Sequence, residues 1–346
     1  MNSSDDTRLS ALKQWLASLA AEHRLDLDSL SPASSDASFR RYFRLQGKSG
    51  SVIVMDAPPD REDCRPFLQV TKTLHQAGVN VPQIFAQNLE QGFLLISDLG
   101  RQTYYQAVLS GLADDALQQL YRNAIAALVQ LQQSDMSGLP RYDQERLLAE
   151  LQLFPEWYVT RHCGAQLTQA EQTMLQKVFS ELAADAAAQP IVLVHRDYHS
   201  PNLMLCERPE QGRNPGVIDY QDALAGPITY DLASLVMDAR TTWEEPQQLD
   251  WAIRYWQAAR EAGLPVPVDF ADFHRAYEWM SLQRNLRILG VFSRLSYRDG
   301  KHHYLDHIPR VQGYVRQVAG RYGTFAPLLR LLDRLEKRQV SYGYTF

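Results

Sequence analysis

Cysteine is scarce: Cys64, Cys163 and Cys206 are the three in 346 residues, far apart and without CxxC or paired-His spacing. That leaves no disulfide framework and no zinc-finger spacing, and it fits a reducing cytoplasm. No apolar run approaches the roughly 18 residues that span a bilayer. The N-terminal MNSSDDTRLSALKQ carries acids where an export signal has basic residues, so none is expected. An excess of positive charge is also missing. Lys and Arg number 35 against 40 Asp and Glu, a net charge of −5, whereas a general nucleic-acid binder shows a basic surface. No internal repeat is visible, and no low-complexity stretch is long enough to be a linker.

What is present is ordinary globular composition, 45% hydrophobic and 22% charged, in a chain long enough for two lobes. Leu9, Leu12, Leu16 and Leu19 give an amphipathic opening helix over 8–30, packed on the lobe that follows. SFRRYFRLQ and SVIVMDA flank a glycine-containing turn and read as a hairpin. PFLQVTKTLHQAG reads as a helix closed by Gly78 and Pro82, and QIFAQNLEQGFLLISDL as two more strands. After Gly100 helical periodicity dominates, near 114–134, 143–162, 168–188, 229–240, 246–262, 268–290 and 305–337. The expected fold is therefore α+β and bilobal: a sheet-rich N-lobe over 1–97 and a mainly helical C-lobe over 98–346.

One stretch interrupts the helices, IVLVHRDYHSPNLMLCERPEQGRNPGVIDYQDA over 191–223. A buried strand delivers His195, Arg196 and Asp197 onto a loop. Asn202 follows, and a second β-type run brings Asp219. Phosphoryl transfer needs this set: one carboxylate to accept the proton of the attacking hydroxyl, and an amide oxygen and a second carboxylate to hold magnesium.

HRDYHSPN, IDYQDA and GPITYDLASLV together resemble the catalytic loop, metal loop and following helix of the aminoglycoside phosphotransferase branch of the protein-kinase-like fold. The resemblance implies ATP and Mg2+ as cofactors, Asp197 as catalytic base supported by His195 and Asp231, and Asn202 and Asp219 as metal ligands. PASSDASFRRYFRL falls where that family has its phosphate-covering hairpin, which makes Ser35, Ser38 and Phe39 candidates for contacting phosphate. Ser97, Asp98 and Leu99 fall at the hinge that hydrogen-bonds adenine. The family's phosphate-gripping Lys is replaced by Met55, and its partner Glu by Gln69. Arg41 and Arg44 become the candidates to meet phosphate charge in its place, or else the chain is a nucleotide-binding pseudokinase.

The last helices carry Arg275, Arg284, Arg287, Arg294 and Arg298 and few acids, a poor site for a polycationic aminoglycoside but suited to a neutral or anionic polyol. MDAPP, LQLFPEWYV and QRNLRILGVFSRL resemble the subgroup of anomeric N-acetylmuramate/N-acetylglucosamine kinases of cell-wall recycling, Met55 included. That resemblance implies a sugar 1-phosphate as product. Tyr198, Gln221, Asp222, Glu156, Trp157, Trp279, Gln283 and Arg284 are placed around the sugar. The expected protein is a cytoplasmic monomer whose partner is a small-molecule sugar, with neither nucleic acid nor membrane involved. Another small acceptor is the alternative.

Overall fold

A computed structural model describes residues 3–35, 39–48, 50–208 and 211–337. The chain forms two compact units, Met1–Ala127 with Pro201–Asp222, and Leu128–Ser200 with Ala223–Phe346. The sequence reading put a single boundary at 97/98. The units differ from it in two places, since residues 98–127 and the segment over 201–222 both belong with the first unit. There Leu205 donates its amide to the Gln102 carbonyl, and Val217 to that of Asn80. A Cβ on Gly216 would lie 2.9 Å from Leu99 Cδ1 and 3.1 Å from Cys206 Sγ, a close approach that glycine eases. Among the described residues no helix is long and apolar enough to cross a membrane.

The first unit is built on an antiparallel sheet ordered β1-β2-β3-β5-β4, comprising β1 Asp26–Ser35, β2 Arg41–Gly47, β3 Gly50–Asp56, β4 Ile84–Asn88 and β5 Phe93–Ser97. Helix α1, Ser3–His23, buries Leu12 and Leu16 against Leu25, Leu45, Val52, Val54, Phe93 and Leu95. The opening helix and its docking are as expected, but the helix ends at His23. Residues 26–35 form a strand that their Ser and Pro content does not suggest. It is an edge strand with register shifts around Asp26/Ser31 and Pro32/Ser34, the setting in which a sheet tolerates proline.

Strand alternation then sorts the arginines. Phe43, Leu45, Val52 and Val54 share the α1 side, and on that side Arg41 lies opposite Asp56. Asp56, fully buried, takes both Arg41 (Nε 2.9 Å) and Arg8 of α1 (Nε 3.1 Å). Tyr42, Arg44 and Met55 face the opposite way. Helix α2, Cys64–Gln76, is capped by Asp63 and buries Phe67, Val70, Thr71 and Leu74. Phe67 stacks on Tyr220 (5.1 Å, 12°), and Thr71 Oγ1 lies 2.8 Å from its hydroxyl, which ties α2 to the residue after Asp219.

Helices α3 (Tyr104–Leu109) and α4 (Asp114–Gln132) come next in the chain. In the second unit, α5 (Gln144–Leu151) runs into a π-helix over Phe154–His162, with the Cys163 amide donating to the Tyr158 carbonyl at 2.9 Å. α6 (Gln169–Ala188) follows, and β6 (Ile191–Val194) pairs with β9 (Leu224–Pro227), while β7 (Leu203–Met204) and β8 (Gly216–Val217) pair in the first unit. α7 (Tyr230–Val236) and α8 (Glu245–Glu261) come after β9. The 30-residue α9, Phe270–Asp299, is the buried backbone of this unit. It is longer than its expected 268–290, and the expected 305–337 helix is divided near Gly320 into α10 (Ile308–Ala319) and α11 (Ala326–Leu335).

Gly290 lets α9 cross the start of the π-helix. A Cβ there would stand 2.3 Å from the Leu153 carbonyl carbon and 2.4 Å from its oxygen. Backbone cannot yield as a side-chain tip can, so Gly290→Ala is expected to cost about 1–3 kcal/mol. Thermal denaturation would show this as a Tm lowered by several degrees. An unchanged Tm would mean the helices are not held this closely.

Candidate active site

The second unit carries the loop after β6. Asp231, fully buried at the start of α7, accepts the amides of His195 (2.6 Å) and Arg196 (3.0 Å), and so fixes the turn in which Arg196 takes a φ of 77°. Burial pushes the Asp231 carboxyl up to about 6, opposed by neighbouring His195 and those two amides. The Asp197 amide donates to His195 Nδ1 at 3.3 Å, and Ser200 closes the loop on Asp238 through its hydroxyl (2.5 Å) and amide (3.2 Å).

Around Asp197 the field is positive. Burial would raise its carboxyl, but His199, Arg287, Arg284 and Arg196 outweigh that and hold it at about 2. His199 is itself pushed down to about 4 by burial, so at neutral pH the three guanidiniums carry the effect. Arg196 and Arg287 are anchored on the two oxygens of Glu150, at 2.7 and 2.8 Å, and the Tyr142 hydroxyl joins them. Arg284 is different. It is 3% exposed, and its Nε and Nη1 have no hydrogen-bond partner among the described residues. Buried N–H groups without acceptors cost about 1–3 kcal/mol each, and the Nε atoms of Arg196 and Arg287 likewise lack a hydrogen bond, so several donors are gathered here.

Asp197 therefore stays ionised wherever the protein is folded. Its folded-state value lies below the ordinary 3.8, so the loop's electrostatic stability is present above about pH 4 and is lost as pH falls toward 2. At saturating nucleotide, kcat/KM for the acceptor is expected to show no inflection from this carboxylate between about pH 5 and 8. An inflection in that range that vanishes in Asp197→Asn would contradict the arrangement.

The metal-ligand candidates lie in the first unit. Asn202 Nδ2 stands 3.4 Å from Asp219 Oδ2, and the Ile218 amide donates to the Asn202 carbonyl at 3.1 Å. Asp219 adopts a left-handed φ of 65° and accepts Gln221 Nε2 at 2.9 Å. Among the described residues no three His, Cys, Asp or Glu side chains group as a metal site. An amide and a carboxylate offer hard oxygens and leave most positions to water and phosphate, a donor set that fits Mg2+ rather than a transition metal.

Residues 29–279 match the phosphotransferase enzyme family. The chain belongs to that family. An N-acetylmuramate/N-acetylglucosamine kinase of Pseudomonas aeruginosa is 47% identical over 340 residues, covering 96% of this chain and 98% of the relative. The fold is shared with ADP-bound aminoglycoside phosphotransferase APH(2'')-Ib (14% identity, TM-score 0.58, 88% and 97% covered). It is shared also with a choline/ethanolamine kinase family protein from Mesorhizobium loti (15% identity, TM-score 0.59, 96% and 99% covered). The protein is a phosphotransferase with the kinase-like α+β fold, and nucleotide use follows from the family.

Within this phosphotransferase the nucleotide candidates fare unequally. The Ser35 side chain and Ser38 lie outside the described residues. Phe39 is exposed, with the Arg61 guanidinium 4.6 Å over its ring. Arg41 is committed to Asp56 on the α1 side of the sheet, and Arg44 to Asp98 (Nε 2.6 Å) and the Gly100 carbonyl (2.8 Å). Asp98 also accepts Ser51 Oγ and the Gly100 amide. Burial would raise it, yet these partners hold it below its usual value. Ser97 bonds back to Gln83 through amide and hydroxyl, and the Leu99 carbonyl takes Cys206 Sγ at 3.3 Å. Met55 is buried, whereas Gln69 lies on the exposed face of α2. The two are not a neutral pair facing one another, as the sequence count implied.

Of the acceptor candidates, Tyr198 is fully buried and edge-on to His195 (5.7 Å), and Arg284 stands in the field of Asp197. Gln283 is buried with Nε2 3.5 Å from the Leu147 carbonyl. Trp279 instead completes an aromatic cluster with Phe325 (4.9 Å) and Tyr322 (5.8 Å). Glu156 is exposed on an open groove of about 520 Å³ lined by Gln152, Thr160, Gln166 and Gln176, and Trp157 is half-buried in the π-helix. Gln221 and the exposed Asp222 belong to the first unit, beside Asp219 in sequence. Glu150 and Asp238 were not singled out. An acid in LLAEL or VMDAR has no local mark of such a role.

Proposed function

We propose that this phosphotransferase moves the γ-phosphoryl group of ATP to the anomeric (C1) hydroxyl of N-acetylmuramate or N-acetylglucosamine, giving the sugar 1-phosphate of peptidoglycan recycling. The observation that carries the reading is the near-full-length similarity, at 47% identity, to a relative bearing that kinase name. The acceptor-side chemistry agrees with it. An anomeric hydroxyl is more acidic than an ordinary alcohol, so a carboxylate held ionised at about 2 serves better as an orienting acceptor of its proton than as a strong base. As O1 attacks phosphorus, its proton passes to Asp197, and ADP leaves. Asn202 and Asp219 would hold Mg2+, which when bound neutralises phosphate charge. The unpaired N–H groups of Arg284 supply donors for hydroxyl or carboxylate oxygens of the sugar. On this reading the enzyme works in the cytoplasm, as a monomer, on small molecules only.

Incubation with Mg-ATP and, separately, N-acetylmuramate, N-acetylglucosamine, glucose or kanamycin, following ADP release, tests it. Phosphorus NMR of the product distinguishes a 1-phosphate from a 6-phosphate. Turnover confined to kanamycin would move the acceptor to an aminoglycoside. ATP binding without turnover on any acceptor would make the chain a pseudokinase.

A further inference from the structure

Protein kinases meet nucleotide phosphates with a β3 lysine held by a helix glutamate. Here the corresponding strand position is Met55, and both sequence candidates for a substitute cation are bound to other carboxylates. A third arginine, Arg40, is paired as well, but beside the metal-ligand candidate Asp219. It lies just before β2 and interacts with Tyr42, the cross-strand neighbour of Met55. Its Nε donates to Glu62 Oε2 at 3.2 Å, and its Nη1 lies 4.0 Å from Oδ1 of the metal-ligand candidate Asp219. Both side chains of the Arg40–Glu62 pair are mostly buried, at 11% and 17% exposed.

We propose that Arg40, oriented by Glu62, binds the phosphate oxygens of the nucleotide beside Asp219, rebuilding from the hairpin the ion pair that β3 and α2 lack. The inference rests on the phosphotransferase reading and adds a residue that the family's lysine motif does not point to. Its chemistry differs from that of lysine. Glu62 and Tyr42 hold the guanidinium beside Asp219, and its planar donors suit phosphate oxygens that a point-charge ammonium would meet without direction. Burial by itself would weaken the charge of Arg40, but Tyr42, Glu62 and Asp219 hold it firmly protonated.

The test is equilibrium binding of ATP and of adenosine, with Mg2+ present, to the full-length protein and its variants. Arg40→Gln is expected to weaken ATP about 10- to 100-fold, the loss of a charged double hydrogen bond, and to leave adenosine unchanged. Glu62→Gln should weaken ATP less, and Arg41→Gln not at all. Should Arg40→Gln lower the Tm, Arg40→Lys decides, since it keeps the charge and loses the fork. It is expected to fall between wild type and Arg40→Gln for ATP. Unchanged ATP affinity in Arg40→Lys and Glu62→Gln, or an equal loss for ATP and adenosine, would overturn the role. A wild-type protein that bound neither ligand would overturn the phosphotransferase reading as well.

Discussion

Asp197→Asn is expected to lower kcat by about 10²- to 10⁴-fold while ATP affinity stays within about twofold of wild type. The amide is nearly isosteric and leaves the backbone of the loop intact, including the His199 amide's bond to the Asp197 carbonyl and the grip of Asp231 on His195 and Arg196. What it removes is the charge. The carboxylate sits among Arg284, Arg287 and Arg196, and an amide there can neither accept the acceptor's proton nor balance those cations. The loss therefore belongs in kcat, with a smaller change in KM for the acceptor. Single-turnover rates measured with saturating acceptor and ATP would check it. A variant turning over near the wild-type rate would mean that another group takes the proton.

How much of this was legible beforehand depended on whether a residue's role is set by its neighbours in sequence. His195, Asp197, Asn202 and Asp219 lie within one 25-residue run after a buried strand, so they could be singled out together. The hairpin, α2 and the docking of α1 were also legible, because each depends on local periodicity. The edge strand over 26–35 was not, since its stability comes from pairing with β2 and not from its own Ser-rich composition. The three hairpin arginines could not be told apart for a related reason. Arg40, Arg41 and Arg44 are equivalent as letters. Only the positions of Asp56, Asp98 and Glu62 separate the arginine near Asp219 from the two that hold the sheet together. Gln69 was matched by position in the sequence, and position alone does not show which face of a helix is buried.

Asp219→Asn is expected to weaken ATP about 10- to 100-fold when Mg2+ is present and to change little when Mg2+ is withheld, with turnover falling at least as far. The choice of asparagine matters, because residue 219 adopts a φ of 65°. Asn, like Asp, tolerates that left-handed conformation, whereas Ala would add about 1–2 kcal/mol of strain and confuse metal loss with local unfolding. Asparagine also keeps an oxygen for Gln221 and leaves the neighbouring Tyr220 stacked on Phe67, so the loop stays anchored to α2. The measured difference between binding with and without Mg2+ thus isolates the negative charge. If ATP affinity fell equally in both conditions, Asp219 would be shaping the loop and not holding the metal. If it fell in neither, the metal would have to rest on groups other than Asp219, and Asn202, 3.4 Å away, would lose its stated partner in that role.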